Sequence, residues 1–238
     1  MLRLTLDGRE DGRGLLICFE GIDGSGKSTV ARQLWERLQT SCTNVKFVQK
    51  KGLPFEDPYV AAHMGSLQQL IWEYQPDDPL DRLGDLHWLH LMAAWFATLD
   101  YAYLQPMMAA GSHVIIDNWY FKFLARFLVK DGTRRTTSAE IAFVGLSTPD
   151  LVVLLDVSPE SAADRKTRFT VAEAGNLDGL VGRNRTNFIT YQFKVRESLL
   201  DLASRLGWLV LDAERDLGSV VDEVYSLLTD TEDARDQR

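Results

Sequence analysis

Five short runs along the chain are almost wholly apolar: Leu15-Leu16-Ile17-Cys18-Phe19, Val45-Lys46-Phe47-Val48, His113-Val114-Ile115-Ile116-Asp117, Leu151-Val152-Val153-Leu154-Leu155-Asp156 and Trp208-Leu209-Val210-Leu211-Asp212. Continuous apolar runs of this length predict strands buried on both faces. Between them the apolar positions fall at helical spacing. Val30, Leu34 and Leu38 mark a helix from Thr29 to Gln39, and Met64, Leu67, Leu70 and Ile71 mark another from Asp57 to Trp72, broken by Pro76 and Pro79. A single long helix is predicted from Asp81 to Ala110, with Leu86, Leu89, Ala93, Phe96 and Leu99 inward, Pro106 kinking its last turn and Gly111 ending it. Further helices are expected after the third strand and from near Thr186. Strands alternating with helices imply an α/β fold: a three-layer sandwich with a five-stranded parallel sheet, helices on both faces and ligands beyond the carboxyl ends of the strands.

Composition changes little in this picture. The 238 residues are 45% hydrophobic and 25% charged, ordinary for a globular domain. The net charge of −8 argues against a nucleic-acid or membrane-surface partner, while leaving room for a local basic pocket. Two cysteines, Cys18 and Cys42, make no disulfide framework. Residues 1–13 read as a flexible N-terminal extension, with neither a leader's nor a membrane span's apolar core, and 230–238 as a flexible tail; 14–229 form the domain, and the cytoplasm is the expected location.

The chemistry is concentrated after the first strand. Gly21-Ile22-Asp23-Gly24-Ser25-Gly26-Lys27-Ser28 fits G-x-x-x-x-G-K-[ST] at every fixed position, between a predicted strand and a predicted helix. Such a P-loop wraps phosphate in backbone N–H groups at a helix start, which makes Gly21, Asp23, Gly24, Ser25, Gly26, Lys27, Ser28 and Thr29 the candidate ATP-binding residues. Lys27 would reach the β/γ-phosphates, and the Ser28 hydroxyl would meet Mg²⁺, with Asp117 at a strand end as the second candidate metal ligand. Residues 158–185 carry Arg165, Lys166, Arg168, Arg183 and Arg185 among Gly175, Gly179 and Gly182, the composition of a basic lid over phosphates. His87, His90 and His113 lack a metal-binding pattern around them.

Several stretches carry a family resemblance. Phe19-Glu20-Gly21-Ile22-Asp23-Gly24-Ser25-Gly26-Lys27-Ser28-Thr29 resembles the F-E-G-x-D-G-x-G-K-S-T opening of thymidylate kinases. Pro106-x4-Gly111-x2-Val114-Ile115-Ile116-Asp117, Leu155-Asp156-Val157-Ser158-Pro159-Glu160, Phe188-x2-Tyr191-x3-Val195-Arg196 and Leu211-Asp212-Ala213 continue it. The resemblance implies a P-loop kinase that moves the γ-phosphoryl group of ATP to thymidine monophosphate with Mg²⁺, as a homodimer. By position, Asp23 looks like the loop carboxylate that orders the acceptor sugar and the water around the metal. Lys50 or Lys51 stands where the family has an arginine after the second strand, and Arg183 or Arg185 resembles a lid arginine that stabilises the transferring group.

Two positions depart from the family. Its Asp-Arg pair is Asp117-Asn118 here, and its long-helix arginine aligns with Phe96 or Ala97. Lys122 and Arg126, four apart on the helix after Asp117, are candidates to restore the lost charge at the acceptor phosphate. Trp95, Phe96, Trp119, Tyr120, Phe121 and Phe55 offer aromatic surface for a nucleobase. The expected substrate set is therefore Asp23, Lys50, Lys51, Phe96, Asp117, Lys122 and Arg126, and the catalytic set Lys27, Arg183 and Arg185. Three functions stay open on the sequence: a kinase for dTMP or a related pyrimidine nucleoside monophosphate, a kinase for an unphosphorylated nucleoside or metabolite hydroxyl, and a nucleotide-binding regulator.

Overall fold

A computed structural model of the chain describes residues 12–40, 44–49, 51–75, 78–130 and 133–229. Lys50, Cys42, Pro76 and the tail 230–238 lie outside the described residues, as does the N-terminal extension up to residue 11. In chain order the elements are β1 (Leu16–Glu20), α1 (Lys27–Leu38), β2 (Val45–Val48), α2 (Pro58–Trp72), α3 (Gly84–Leu99), α4 (Gln105–Ala109), β3 (His113–Ile116) and α5 (Phe121–Val129). They are followed by α6 (Thr133–Ala142), β4 (Leu151–Asp156), α7 (Pro159–Asp164), α8 (Arg185–Leu206), β5 (Leu209–Asp212) and α9 (Leu217–Thr229). The strands form one parallel sheet in the order β2-β3-β1-β4-β5, with Ile17 opposite Ile115 on one side of β1 and Leu151 on the other.

Strand alternation distributes the core over two layers. Leu16 and Cys18 of β1, Val114 and Ile116 of β3, and Val152 and Leu154 of β4 join α2, α3, α5 and α8 in one layer. Their neighbours Ile17, Phe19, Ile115, Val153 and Leu155 face α1 and α9 in the other. All five expected strands are present, and the sandwich is that of a P-loop NTPase.

The single long helix is not. Residues 80–83 form a 3₁₀ turn, α3 ends at Leu99, and a π turn over Asp100–Leu104 leads into α4. Pro106 has no N–H to continue the α-helical ladder, and the widened turn absorbs the break. Asp100 is held there: its Oδ2 accepts the Ser147 backbone N–H at 2.8 Å and the Gln105 amide at 2.9 Å.

Candidate active site

The P-loop leaves the buried end of β1 and closes at Lys27, where α1 begins behind Gly26 in left-handed conformation (φ 93°). Gly24 is also left-handed, and a Cβ on it would lie 2.6 Å from the Ala162 carbonyl oxygen of α7. The loop's outer side is braced by Arg165, which donates to the carbonyls of Gly24 and Ser25 at 3.4 Å and of Ala213 at 2.9 Å. Arg165 is thus a buttress of the loop rather than part of a free lid.

Lys27 is folded into its own loop. Its Nζ donates to the Gly21 and Ile22 carbonyls at 2.8 and 2.7 Å and to Ser25 Oγ at 3.3 Å. Burial, with the charge of Lys122 second, pulls Lys27 down to about 7 from an ordinary 10.5, against the opposing pull of Asp23, Glu20 and Asp117. Glu20, wholly buried at the end of β1, accepts the Trp119 backbone N–H at 2.9 Å and so pins the turn between β3 and α5 against the loop.

That turn delivers α5 to the loop. Lys122 Nζ lies 2.8 Å from Asp23 Oδ1, and Arg126 NH2 lies 2.6 Å from Asp23 Oδ2. The three side chains are 6%, 14% and 15% exposed in the order Lys122, Arg126, Asp23. Burial alone would raise the Asp23 carboxyl; Lys122, then Arg126 and Lys27, overcome it and hold it well below the usual carboxylate range. Gln192 of α8, which sequence reasoning missed, completes the arrangement: its Oε1 accepts the Asp23 N–H at 3.1 Å and its amide donates to the Glu173 carbonyl at 2.9 Å.

Two cavities meet at Asp23, Lys51 and Lys122. One, about 450 Å³, is lined by Gly24, Gly26, Lys27, Ser28, Thr29, Gln49, Asp117 and Asn118. The other, about 420 Å³, adds Arg126, Arg168 and Arg183 to the shared cations, with Trp72, Tyr74, Phe123 and Phe169 as its aromatic walls. A third cavity of about 290 Å³ continues from the second through Trp72, Tyr74, Phe123 and Arg126 to Trp88, Met92 and Tyr191.

The structure brings together most of the expected site. Lys51 stands at the junction, its Nζ 4.5 Å over the Trp72 ring, and Arg183 lines the basic cavity. Arg185 does not: it is exposed and pairs with Asp164 at 2.7 Å, away from both cavities. Phe96 is the clear correction. It is 0% exposed and packs in the core against Trp119, Phe123 and Phe143, so it contributes no cavity surface. Trp95 and Trp119 are buried alike, and the aromatic cavity walls come from Trp72, Tyr74 and Phe123 instead. Trp72 and Tyr74 sit at and just past the end of α2, and that position at an element's end is the only sequence signal they carried. His113 is structural, its Nδ1 accepting the Leu15 N–H at 3.1 Å.

The residues fit a Mg²⁺-nucleotide. Gly26 lines the loop cavity, and a Cβ on it would meet only Arg165, at 4.0 Å. Ser28 and Asp117 line that cavity with oxygen donors suited to a hard cation that takes its remaining ligands from phosphate and water. A phosphate-wrapping loop at the carboxyl rim of a parallel sheet, beside a second basic cavity, defines a P-loop phosphotransferase.

No family model matches the chain. Curated relatives do: it is similar to the thymidylate kinase of Caenorhabditis elegans, 30% identical over 220 residues and 90% of each chain. It is also similar to the thymidylate kinase of Ruegeria pomeroyi, 28% identical over 91% of this chain and 95% of that one, and to the probable thymidylate kinase of Sulfolobus acidocaldarius, 26% identical over 90% and 95%. The chain belongs to the thymidylate kinase family.

Proposed function

We propose that this chain transfers the γ-phosphoryl group of ATP to dTMP or a closely related pyrimidine nucleoside monophosphate, with Mg²⁺. The observation that carries the phosphorylated acceptor is charge. In a chain of net charge −8, the cavity beside the P-loop cavity is lined by five cations, Lys51, Lys122, Arg126, Arg168 and Arg183, against two acids, Asp23 and Glu173. An excess of this size favours a ligand that brings its own negative charge over a neutral hydroxyl compound. The adjoining aromatic cavity suits a base, and the family of the relatives supports dTMP.

In this reading Lys27 and the loop N–H groups hold the donor's phosphates, and the two cavities set donor and acceptor in line. Ser28 and Asp117 would hold the Mg²⁺, which would supply charge neutralisation at the phosphate oxygens. Arg168 and Arg183, on the segment before α8, add positive charge from the open side and exclude water as that segment packs down. The acceptor phosphate is itself a nucleophile, so the chain needs no strong base.

A homodimer and a cytoplasmic setting complete the proposal. Leu83, Leu86 and Tyr101, 54%, 57% and 77% exposed along the 3₁₀ turn, α3 and π turn, supply apolar surface for a second copy. No helix among the described residues is long and apolar enough to cross a membrane.

The test is an acceptor panel with Mg-ATP. Turnover of dTMP supports the proposal; turnover of unphosphorylated nucleosides alone overturns it in favour of a hydroxyl kinase. ATP binding with no product from any acceptor points to a regulator.

A further inference from the structure

The five cations of the acceptor cavity are not equivalent. Lys51, Arg168 and Arg183 are exposed. Lys122 is buried and Arg126 largely so; they lie one helical turn apart on α5 and converge on the same group: Lys122 takes one oxygen of the Asp23 carboxylate and Arg126 the other. One donor in the cluster is also unused, since Arg126 Nε is buried without a hydrogen-bond partner. Buried donors of charged groups are costly to leave unsatisfied.

The geometry of the cluster states what would satisfy it. Two donors aimed at neighbouring oxygens of one planar anion, with a third free beside them, fit three oxygens of a tetrahedral dianion better than two of a carboxylate. The location fits as well. Lys122 lines both the P-loop cavity and the basic cavity, and Arg126 lines the basic cavity and its aromatic extension. An anion held by the pair would lie between the donor's phosphates and a base in the aromatic cavity.

We propose that Lys122 and Arg126 are the ligands of the acceptor's phosphate, and that Asp23 is their resident counter-ion, exchanged for that phosphate when the acceptor enters. This rests on the kinase reading above. The exchange keeps the two cations compensated in both states and avoids an unpaired charge in the empty site, while the released Asp23 carboxylate keeps the field of Lys27 and the Gln192 amide, 3.4 Å from its Oδ2.

The experiment measures binding of dTMP and of thymidine, by calorimetry or competition, to the full chain and four variants. Lys122→Met and Arg126→Gln should each weaken dTMP by roughly 10- to 100-fold, the worth of one charge-assisted hydrogen bond, and leave thymidine unchanged. Lys122→Arg should recover most of the dTMP affinity. Asp23→Asn should tighten dTMP, because the competing anion is gone. Folding is protected in the single cation variants, since each leaves Asp23 its other partner. Equal losses for dTMP and thymidine would assign the pair a structural role and overturn the proposal, and so would a weaker dTMP complex in Asp23→Asn. Wild-type turnover of dTMP with unaltered dTMP affinity in both cation variants overturns this inference and leaves the kinase reading standing. Failure of the wild type to bind or phosphorylate any nucleoside monophosphate overturns both.

Discussion

Gln192 reaches across 169 positions of sequence to accept the backbone N–H of Asp23 at 3.1 Å. It is 0% exposed, and its amide also donates to the Glu173 carbonyl, so one side chain ties the P-loop to the segment before α8. Gln192→Leu keeps the volume and removes these two bonds and a third, from the amide to Asp23 Oδ2 at 3.4 Å, leaving a partly buried N–H and a partly buried carbonyl without that partner. Each such group costs roughly 1–3 kcal/mol, and the urea midpoint should fall accordingly. An unchanged midpoint would mean that water replaces the amide.

Lys27 gives a pH signature. In the free protein burial and then Lys122 hold it at about 7, against an ordinary 10.5. A bound polyphosphate favours the ammonium and raises that value again. The free state therefore carries less proton than the bound state at pH values above about 7, and nucleotide binding takes up a proton there. Calorimetry at about pH 8 in buffers of different ionisation enthalpy should report uptake of close to one proton, with nucleotide affinity falling as pH rises further. Lys27→Ala should remove the buffer dependence and lower kcat by at least about 10²-fold. Release of a proton, or no exchange, contradicts the account of Lys27.

Two loop glycines should fail differently when given a methyl group. At Gly24 the φ is 87° and the new Cβ would press on the Ala162 backbone oxygen at 2.6 Å. At Gly26 the φ is 93° but the Cβ meets nothing closer than Arg165 at 4.0 Å, and the residue lines the loop cavity. Both substitutions store backbone strain of roughly 1–3 kcal/mol. Gly24→Ala adds a clash with α7 and should show the larger drop in thermal midpoint, whereas Gly26→Ala should lose ATP affinity with the smaller drop. Equal midpoints would place the α7 contact among the movable ones.

The strands and the loop were legible in the sequence because each depends on a local signal. Unbroken apolar runs such as Leu151–Leu155 fit only a doubly covered strand, and the glycine spacing from 21 to 26 states its own backbone geometry. The break of the long helix was half legible: Pro106 marked it, but the π turn lies before the proline, where Asp100 is recruited by the Ser147 backbone. The α6 helix went unread, its sequence Thr133-Arg134-Arg135-Thr136-Thr137 offering no apolar stripe. Phe96 was misassigned because an aromatic at helical spacing looks the same whether it faces a ligand or Trp119. The spacing of Lys122 and Arg126 puts them on one face of α5; that they close on Asp23 depends on the Glu20–Trp119 bond, which joins residues far apart in the chain. Gln192 had no sequence signal, being one amide on an otherwise apolar face of α8.

Lys130, at the end of α5, stands in the wall of the aromatic cavity. Its Nζ lies 2.9 Å from Asp85 Oδ1 of α3 and 2.9 Å from Asp178 Oδ1, and donates to the Leu177 carbonyl at 2.9 Å. Asp178 and Leu177 belong to the 3₁₀ turn in the basic segment that precedes α8, so the ammonium ties that segment to the body of the domain. Lys130→Met removes the cation and leaves Asp178, 12% exposed, facing Asp85 without it. Removing one member of a buried ion pair costs up to roughly 3–5 kcal/mol, and Asp85, a third exposed, brings the expected loss to the lower end. Limited proteolysis should then cut first within 165–184, because local opening follows the loss of the tie. Adding Asp178→Asn to Lys130→Met relieves the facing charges and should restore part of the stability, giving a favourable coupling in the double-mutant cycle. A fully additive cycle, with cleavage no faster in 165–184 than elsewhere, would show that Lys130 packs by its stem and that its charge holds nothing.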